Sequence, residues 1–259
     1  MTKKLKSDLG WSTADRIVVR GHDLAEELLG KVSLGDVAFL ELKGRLPTAQ
    51  ESIVFNALAV TLVEHGMTPS AIAARLTYFG APESLQGAVA AGLLGIGDRF
   101  GGSVEGAARM LQEALLDAAP GSDPRPFARA IVSRHREAKQ AIPGLGHPVH
   151  KEADPRTTKL FALAADNGLS GRYVELMKAV GEEAARSAGR PLPVNATGAI
   201  GAIASELELP WRVCRGLAVM ARAIGLVAHI QEEMQDPLAA EIWSRIDDES
   251  SGHFRPSTD

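Results

Sequence analysis

Residues 210–235 read PWRVCRGLAVMARAIGLVAHIQEEMQ, the longest helix-like stretch of the chain. Apolar residues fall on almost every side of this stretch, which is typical of a helix buried in a protein core. Strand signals are scarce by comparison, because aromatic residues make up only 5% of the sequence and alternating apolar patterns are short. The sequence therefore predicts an all-α fold around one long central helix.

Several shorter helices are predicted from start and stop signals. The pair Thr48 and Glu51 has the spacing of a capping box, and Thr68-Pro69 opens a further helix that stops near Gly80. Apolar periodicity predicts four more helices, over residues 85–96, 104–116, 155–165 and 173–187. The polar tail, residues 247–259, is expected to be loosely ordered.

Composition limits the classes of function. The chain has 259 residues, of which 45% are hydrophobic, enough for one large domain or two small ones. A net charge of −4 gives no reason to expect a nucleic-acid partner. The single cysteine, Cys214, rules out an intramolecular disulfide and fits the reducing cytoplasm, and it either packs in the core or has its pKa lowered by a neighbouring arginine. The most apolar run, residues 217–230, is too short for a bilayer, so no membrane partner is expected.

A charged stripe runs along the long helix. Arg222, Gly225, His229 and Glu232 are spaced three, four and three residues apart, so they share one face. Charges on a buried helix need partners, because burying an unpaired charge is costly. The stripe is either an internal network of Arg222 or His229 with Glu232, or an anion site in which Arg222 holds the ligand.

A second candidate region is the turn GLGHPVHK, residues 144–151. Its glycines leave His147 exposed where a ligand can approach the backbone. Asp154 and Pro155 then read as the start of a helix, whose N-terminus attracts anions, and Arg156 adds a bidentate carboxylate donor. This region is either a proton-handling group beside a carboxylate site or a surface turn with a stray histidine.

Three further segments have two interpretations each. His65, in Glu64-His65-Gly66, either contacts a ligand or caps a helix end. The loop 97–102 either binds an anion on its backbone amides or is an ordinary turn. In Pro193-Val-Asn195-Ala-Thr197-Gly198, Asn195 interrupts the apolar pattern and can be simply a helix cap.

Cofactor motifs are missing from the sequence. His147 and His150 lie three residues apart without the frame of a helical zinc site, and Cys214 has no second cysteine. No glycine-rich fingerprint follows a strand, and there is no P-loop. We expect no metal and no nucleotide redox cofactor.

Taken in order, these motifs resemble the citrate synthase family, and most of all its citryl-CoA lyase branch, which includes the C-terminal module of ATP-citrate lyase. The resemblance covers roughly residues 50–233 and rests on the following stretches: Glu64-His65-Gly66, the loop 97–102, Gly146-His147 with Asp154-Pro155-Arg156, Pro193-Val-Asn195, and Arg222 through His229.

This resemblance implies a citrate synthase-like fold with two helical domains. Residues 1–101 and 215–259 would form the large domain and residues 102–214 the small one, with a cleft between them. It also implies a homodimer or higher homo-oligomer. The cleft would bind a dicarboxylate or tricarboxylate and an acyl-CoA, with the coenzyme A thioester as a substrate.

The resemblance also implies roles for individual residues in cleaving citryl-CoA to acetyl-CoA and oxaloacetate. His147 would be catalytic and would handle the hydroxyl proton, since an imidazole titrates near neutrality. Carboxylate binding would fall to His65, Arg156 and Arg222, because arginine holds a carboxylate without competing for protons. Phe100 and Asn195 would be the remaining substrate contacts.

Two positions depart from the family pattern. Phe100 stands where synthases have a second histidine, and lyase modules also tend to have phenylalanine there. Thr197 occupies the second catalytic position, where an aspartate usually handles the methyl proton, and a hydroxyl is no base at neutral pH. Loss of a positioned general base costs about 10²–10⁴-fold in rate. The chain is then an impaired lyase, an acyl-CoA or dicarboxylate-binding protein without fast carbon–carbon chemistry, or a CoA-thioester hydrolase.

Overall fold

A computed structural model describes residues 5–98, 101–146 and 152–254 of the chain. Within these ranges the protein is built from eleven α-helices, which confirms the all-α prediction. They are α1 (Leu34–Lys43), α2 (Ala49–Val63), α3 (Pro69–Gly80), α4 (Leu85–Leu94), α5 (Ser103–Ala114), α6 (Pro124–Glu137), α7 (Pro155–Asp166), α8 (Arg172–Ala188), α9 (Ala196–Glu206), α10 (Trp211–Gln235) and α11 (Ala239–Ser251).

Local signals set several helix starts. Thr48 and Glu51 form the reciprocal capping box that the sequence predicts at the start of α2. Pro69 and Pro155 each occupy the first turn of their helix, where the missing N–H costs nothing. The tail prediction is wrong in part, because α11 continues through residue 251.

A small antiparallel sheet precedes the helices and was not expected from the sequence. Its strands are β1 (Gly10–Ser12), β2 (Ile17–Val19) and β3 (His22–Asp23), followed by a π-helical turn, Leu24–Leu28. Strands of two or three residues are too short to produce an alternating pattern, and only Val18 in them is buried.

The largest hydrophobic cluster joins α1 and α2 to the helices of the middle of the chain. Phe39 and Phe55 meet edge to face with their ring centroids 5.4 Å apart. Helix α9 is buried along its length between α5, α7 and α8, while α3 and α4 pack on each other and on α10. Helix α10 is continuous across residues 214 and 215, where the resemblance implies a domain boundary.

Helix α10 is buried on one side only, which corrects the expectation that it is enclosed all round. It packs against α2, α3, α4 and α5, but Met220, Ile224, Val227 and Met234 are 38–51% exposed. In the part of the chain described, it is the one helix whose 25 residues are long and apolar enough to cross a membrane, by length and composition alone. The helix extends beyond the run 217–230 on which the sequence expectation was based. Of its most apolar stretch, 44% is buried within the protein.

Candidate functional site

A cleft of about 1050 Å³ brings the candidate residues together. Its walls come from the turn after α2, the loop before α5, one face of α5, the last turn of α6, the loop 140–146, the start of α9 and one face of α10. Five of the residues predicted to form a site line it: His65, Arg156, Asn195, Thr197 and Arg222. His147 and Phe100 lie outside the described residues.

Arg222 faces this cleft from α10 without a partner for one of its nitrogens. Among the described residues, Nη1 of Arg222 is buried and has no hydrogen-bond partner. Burial lowers the pKa of Arg222, an effect only partly offset by the charge of Glu64. Among the described residues Arg222 does not pair with Glu232, whose carboxylate pairs with Arg75. The internal-network interpretation holds for His229 and Glu232, because Arg75 contacts both. A half-buried guanidinium with a vacant donor is suited to an anionic ligand.

The turn that presents His65 is organised by Glu64. Helix α2 ends at Val63, and the Glu64 carboxylate accepts hydrogen bonds from the backbone N–H of His65 at 2.8 Å and of Gly66 at 2.5 Å. Gly66 has a φ of 72°, a conformation that favours glycine. Burial alone would raise the pKa of Glu64, but these bonds and His229 together lower it.

A buried ion network behind the turn was missed by the sequence analysis. Arg75 on α3 is fully buried and donates to Nδ1 of His229 at 3.2 Å and to Glu233 at 2.8 Å. His229 in turn contacts the Glu64 carboxylate through Nε2 at 3.1 Å. The available signal was an arginine placed among the alanines and leucine of an otherwise apolar helix face, which requires a buried partner.

At the start of α7, the predicted anion site is already occupied by a carboxylate of the chain itself. The buried Asp154 side chain accepts from the backbone N–H of Arg156 at 3.0 Å. It also receives two hydrogen bonds from the Arg156 guanidinium, at 3.0 and 2.8 Å. Burial would raise the pKa of Asp154, but these bonds lower it. Asp154 therefore orients Arg156, which lines the cleft.

Three residues that line the cleft, Asn195, Thr197 and Ser103, are joined by hydrogen bonds. The sequence analysis did not single out Ser103. Asn195 caps α9 by accepting from Gly198 N–H at 3.1 Å, and its Nδ2 donates to Gly146 O at 2.7 Å. These two bonds fix Oδ1 as an acceptor. The Thr197 hydroxyl donates to that oxygen at 2.7 Å and accepts from Ser103 Oγ at 3.0 Å.

This order of donors decides what the hydroxyls can do. Because the Thr197 hydrogen is directed at Asn195, its oxygen presents only acceptor capacity to the cleft. The cap interpretation of Asn195 is correct, and the same side chain also lines the cleft. Thr197 is therefore neither a base nor a ready donor.

Three basic residues of α5 and α6 also line the cleft, a feature absent from the sequence prediction. They are Arg109 on α5, which pairs with Glu113 at 2.7 Å, and Arg134 and His135 on α6. His135 bonds through Nδ1 to its own helix at Ile131 O, 2.9 Å away, which leaves Nε2 as the ring nitrogen that can meet a ligand. Cationic side chains in a cleft suit the anionic part of a long ligand.

Two other features of the described residues bear on chemistry. No group of three or more histidine, cysteine, aspartate or glutamate side chains within the described ranges is placed to hold a metal ion. Cys214 is buried, and desolvation raises the pKa of its thiol to about 12, which decides between its two interpretations in favour of core packing.

Comparison with known proteins gives the same family that the motifs suggest. Residues 51–243 match the family model described as citrate synthase, C-terminal domain. The structure of citryl-CoA lyase from Hydrogenobacter thermophilus superposes with a TM-score of 0.85 and 35% identity, covering 99% of this chain and 96% of that one. Citrate synthase from Thermotoga maritima superposes with a TM-score of 0.65, 20% identity and coverage of 88% and 57%, a likeness of fold alone.

Among curated sequences, the protein called probable ATP-citrate synthase subunit 1 of Schizosaccharomyces pombe is 29% identical over 227 residues. The match covers 81% of this chain and 35% of that protein. The chain thus spans about a third of the length of the curated relatives it matches.

Proposed function

Because this chain belongs to the citrate synthase family, we propose that it is a citryl-CoA lyase-like enzyme, cleaving citryl-CoA or a related acyl-CoA to acetyl-CoA and oxaloacetate. The observation that carries the proposal is Arg222, a half-buried guanidinium with a vacant donor, in one cleft with His65 and Arg156. Such a set of cationic and imidazole groups matches the carboxylates of a citryl group.

The shape and charge of the cleft support the same class of substrate. Arg222 and Arg156 line it and are proposed to meet carboxylates, and Arg134 of α6 lines it too and is proposed to meet the phosphates of coenzyme A. The volume of about 1050 Å³ is large enough for an extended ligand. We propose that the coenzyme lies along the cleft with its thioester near Thr197.

The chemistry requires two proton transfers. The tertiary hydroxyl loses its proton, the carbon–carbon bond breaks, and the electron pair passes to the thioester, which leaves as an enolate. His147 is proposed to take the hydroxyl proton, as the family resemblance implies. The enolate carbon must then receive a proton, and the Thr197 hydroxyl is poorly placed to supply it, because it already donates to Asn195. We therefore propose slow cleavage.

A second candidate function is binding without fast chemistry. The bonds from Ser103 to Thr197 and from Thr197 to Asn195 favour it, since Arg222 keeps a donor for an anionic ligand while the Thr197 hydrogen is already used. In that case the protein would bind an acyl-CoA or a dicarboxylate and leave it intact. Hydrolysis of a CoA thioester, with His147 activating water, is the remaining alternative.

We also propose that the protein works as a homo-oligomer in the cytoplasm. The exposed apolar face of α10, formed by Met220, Ile224, Val227 and Met234, fits a second copy of the chain. The single cysteine, Cys214, is compatible with a reducing compartment.

Mass spectrometry of the products after incubation with citryl-CoA tests the three functions together. Acetyl-CoA with oxaloacetate supports the lyase. Unchanged citryl-CoA that remains bound supports the binding protein, and citrate with free coenzyme A supports the hydrolase.

A further inference from the structure

The Glu64 carboxylate lies beside α10, where its Oε2 would be 3.1 Å from a Cβ on Gly225, three residues from Arg222, and no ion pair joins Glu64 to Arg222. Burial lowers the pKa of Arg222 and the negative charge of Glu64 partly offsets this, yet the Nη1 donor of Arg222 is unused among the described residues. A carboxylate near a guanidinium normally pairs with it. Other hydrogen bonds must therefore keep the Glu64 carboxylate from pairing with Arg222.

The hydrogen-bonding capacity of Glu64 is taken up elsewhere. Oε1 accepts from the backbone N–H groups of His65 and Gly66, and Oε2 lies 3.1 Å from Nε2 of His229. The two backbone bonds come from the turn itself and fix one oxygen. Nε2 of His229 bonds to that same oxygen at 3.2 Å and lies 3.1 Å from Oε2, so it holds the carboxylate as a whole in the turn.

Arg75 determines which ring nitrogen of His229 donates to Glu64. Arg75 donates to Nδ1 of His229 from both Nε and Nη2, at 3.2 Å each, and an arginine cannot accept a hydrogen bond. The ring hydrogen therefore sits on Nε2, where it points at Glu64. Arg75 is anchored in turn by the buried Glu233, whose carboxylate also caps the start of α11.

We propose that His229, oriented by Arg75, is a positioning residue that retains Glu64 in the turn and so keeps Arg222 open for a carboxylate of the ligand. The inference rests on the proposed function, in which Arg222 binds that carboxylate. Without the His229 bond, the Glu64 carboxylate is released toward Arg222 and competes with the ligand for it.

Calorimetry with citrate as the probe tests this in four variants of the full chain. Arg222→Ala is expected to weaken citrate binding about tenfold or more, the loss of one charge-assisted contact. His229→Leu is expected to weaken it to a similar extent. Adding Glu64→Gln to His229→Leu should restore most of the affinity, because an amide does not neutralise a guanidinium. His22→Leu is the matched control, since it removes a His–Glu pair of the same kind from the N-terminal segment.

The buried position of His229 calls for a second variant in case His229→Leu does not fold. His229→Gln can keep a donor toward Glu64 in a smaller side chain, and it should retain more affinity than His229→Leu or, where the latter is unfolded, come close to wild type. Recovery by Glu64→Gln distinguishes competition from general damage, because damage to the fold is not repaired by removing another charge.

The outcomes separate this inference from the proposed function. If Arg222→Ala leaves citrate binding unchanged, the anion site is wrong and the inference fails with it. If Arg222→Ala weakens binding while His229→Leu does not, or if Glu64→Gln restores nothing, the positioning role is wrong and the anion site stands.

Discussion

Gly225 of α10 crosses the end of α2 so closely that a Cβ on it would lie 2.1 Å from the carbonyl oxygen of Val63. Only glycine allows this approach. The crossing brings the turn after α2 against α10, and this is why Glu64 reaches His229 and why His65 and Arg222 share one cleft.

Replacing Gly225 with alanine should therefore destabilise the protein and disturb the cleft. We expect a loss of about 2 kcal/mol or more in the free energy of unfolding, since backbone must shift to admit the methyl group. Gly216→Ala, in the same helix, is the control. Nothing lies within 4 Å of its Cβ position, so it should stabilise the helix by about 0.5–1 kcal/mol. Urea denaturation of both variants checks this, and equal effects would contradict it.

Arg134 on α6 and Arg222 on α10 should bind different parts of the ligand. Arg134→Ala is expected to weaken binding of coenzyme A about tenfold while leaving citrate binding unchanged, because Arg134 lines the cleft from α6 and Arg222 from α10. Arg222→Lys should weaken citrate binding and spare coenzyme A, since an ammonium cannot bind a carboxylate through two parallel bonds. Calorimetry with each ligand alone measures both. Loss of both affinities in either variant would argue against separate roles for the two arginines.

The exposed face of α10 should mediate self-association. Ile224→Asp places a charge in the middle of this face and is expected to convert an oligomer into monomers, because an unpaired charge at an apolar interface is costly. Light scattering at micromolar concentration gives the mass of wild type and variant. A wild-type monomer would contradict both the oligomer and the role of this face.

Glu51 should make stability depend on acid. Its hydrogen bonds with Arg45 lower its pKa from 4.5 to about 2, so its folded pKa lies below its unfolded one. Its contribution is therefore present above pH 4.5 and is lost as the pH falls toward 2. We expect Glu51→Gln to cost about 1 kcal/mol at pH 7 and nothing near pH 2, after allowance for the exposure of Arg45. Thermal melts across this pH range measure it, and a difference that grows on acidification would refute it.

The parts of the fold that follow from local rules could be predicted from the sequence. Thr48 with Glu51, Pro69 and Asp154 with Pro155 mark helix starts through bonds made within four residues. The N-terminal strands could not be predicted, because two or three residues carry no period.

The candidate site shows the same division. His65, Arg156, Asn195, Thr197 and Arg222 were found as motif residues, and the structure places them in one cleft. Their partners are distant in sequence. Arg75 lies 154 residues from His229, and Ser103 lies 94 residues from Thr197. Nothing in a local pattern indicates such pairs, and they decide which groups are available to a ligand.

Ser103 should influence a carboxylate introduced at position 197. In Thr197→Asp, the Ser103 hydroxyl would donate to the new carboxylate and lower its pKa, which makes it a weaker proton shuttle. We expect the double variant Ser103→Ala with Thr197→Asp to cleave citryl-CoA faster than Thr197→Asp alone, and to show its rate change at higher pH. The pH dependence of the rate in both variants checks this. Identical profiles would exclude a contact between the two side chains.

The most direct test of the proposed function is the rate of citryl-CoA cleavage by wild type, Thr197→Asp and Thr197→Ala, with binding of the thioester confirmed in each. Wild type should bind citryl-CoA and cleave it slowly or not at all, and Thr197→Asp should raise the rate. The gain should be smaller than the 10²–10⁴-fold that a positioned base commonly contributes, because groups that tune its pKa are missing. Fast cleavage by wild type that Thr197→Ala leaves unchanged would contradict the account, as would a Thr197→Asp variant that folds, binds the thioester and stays inert.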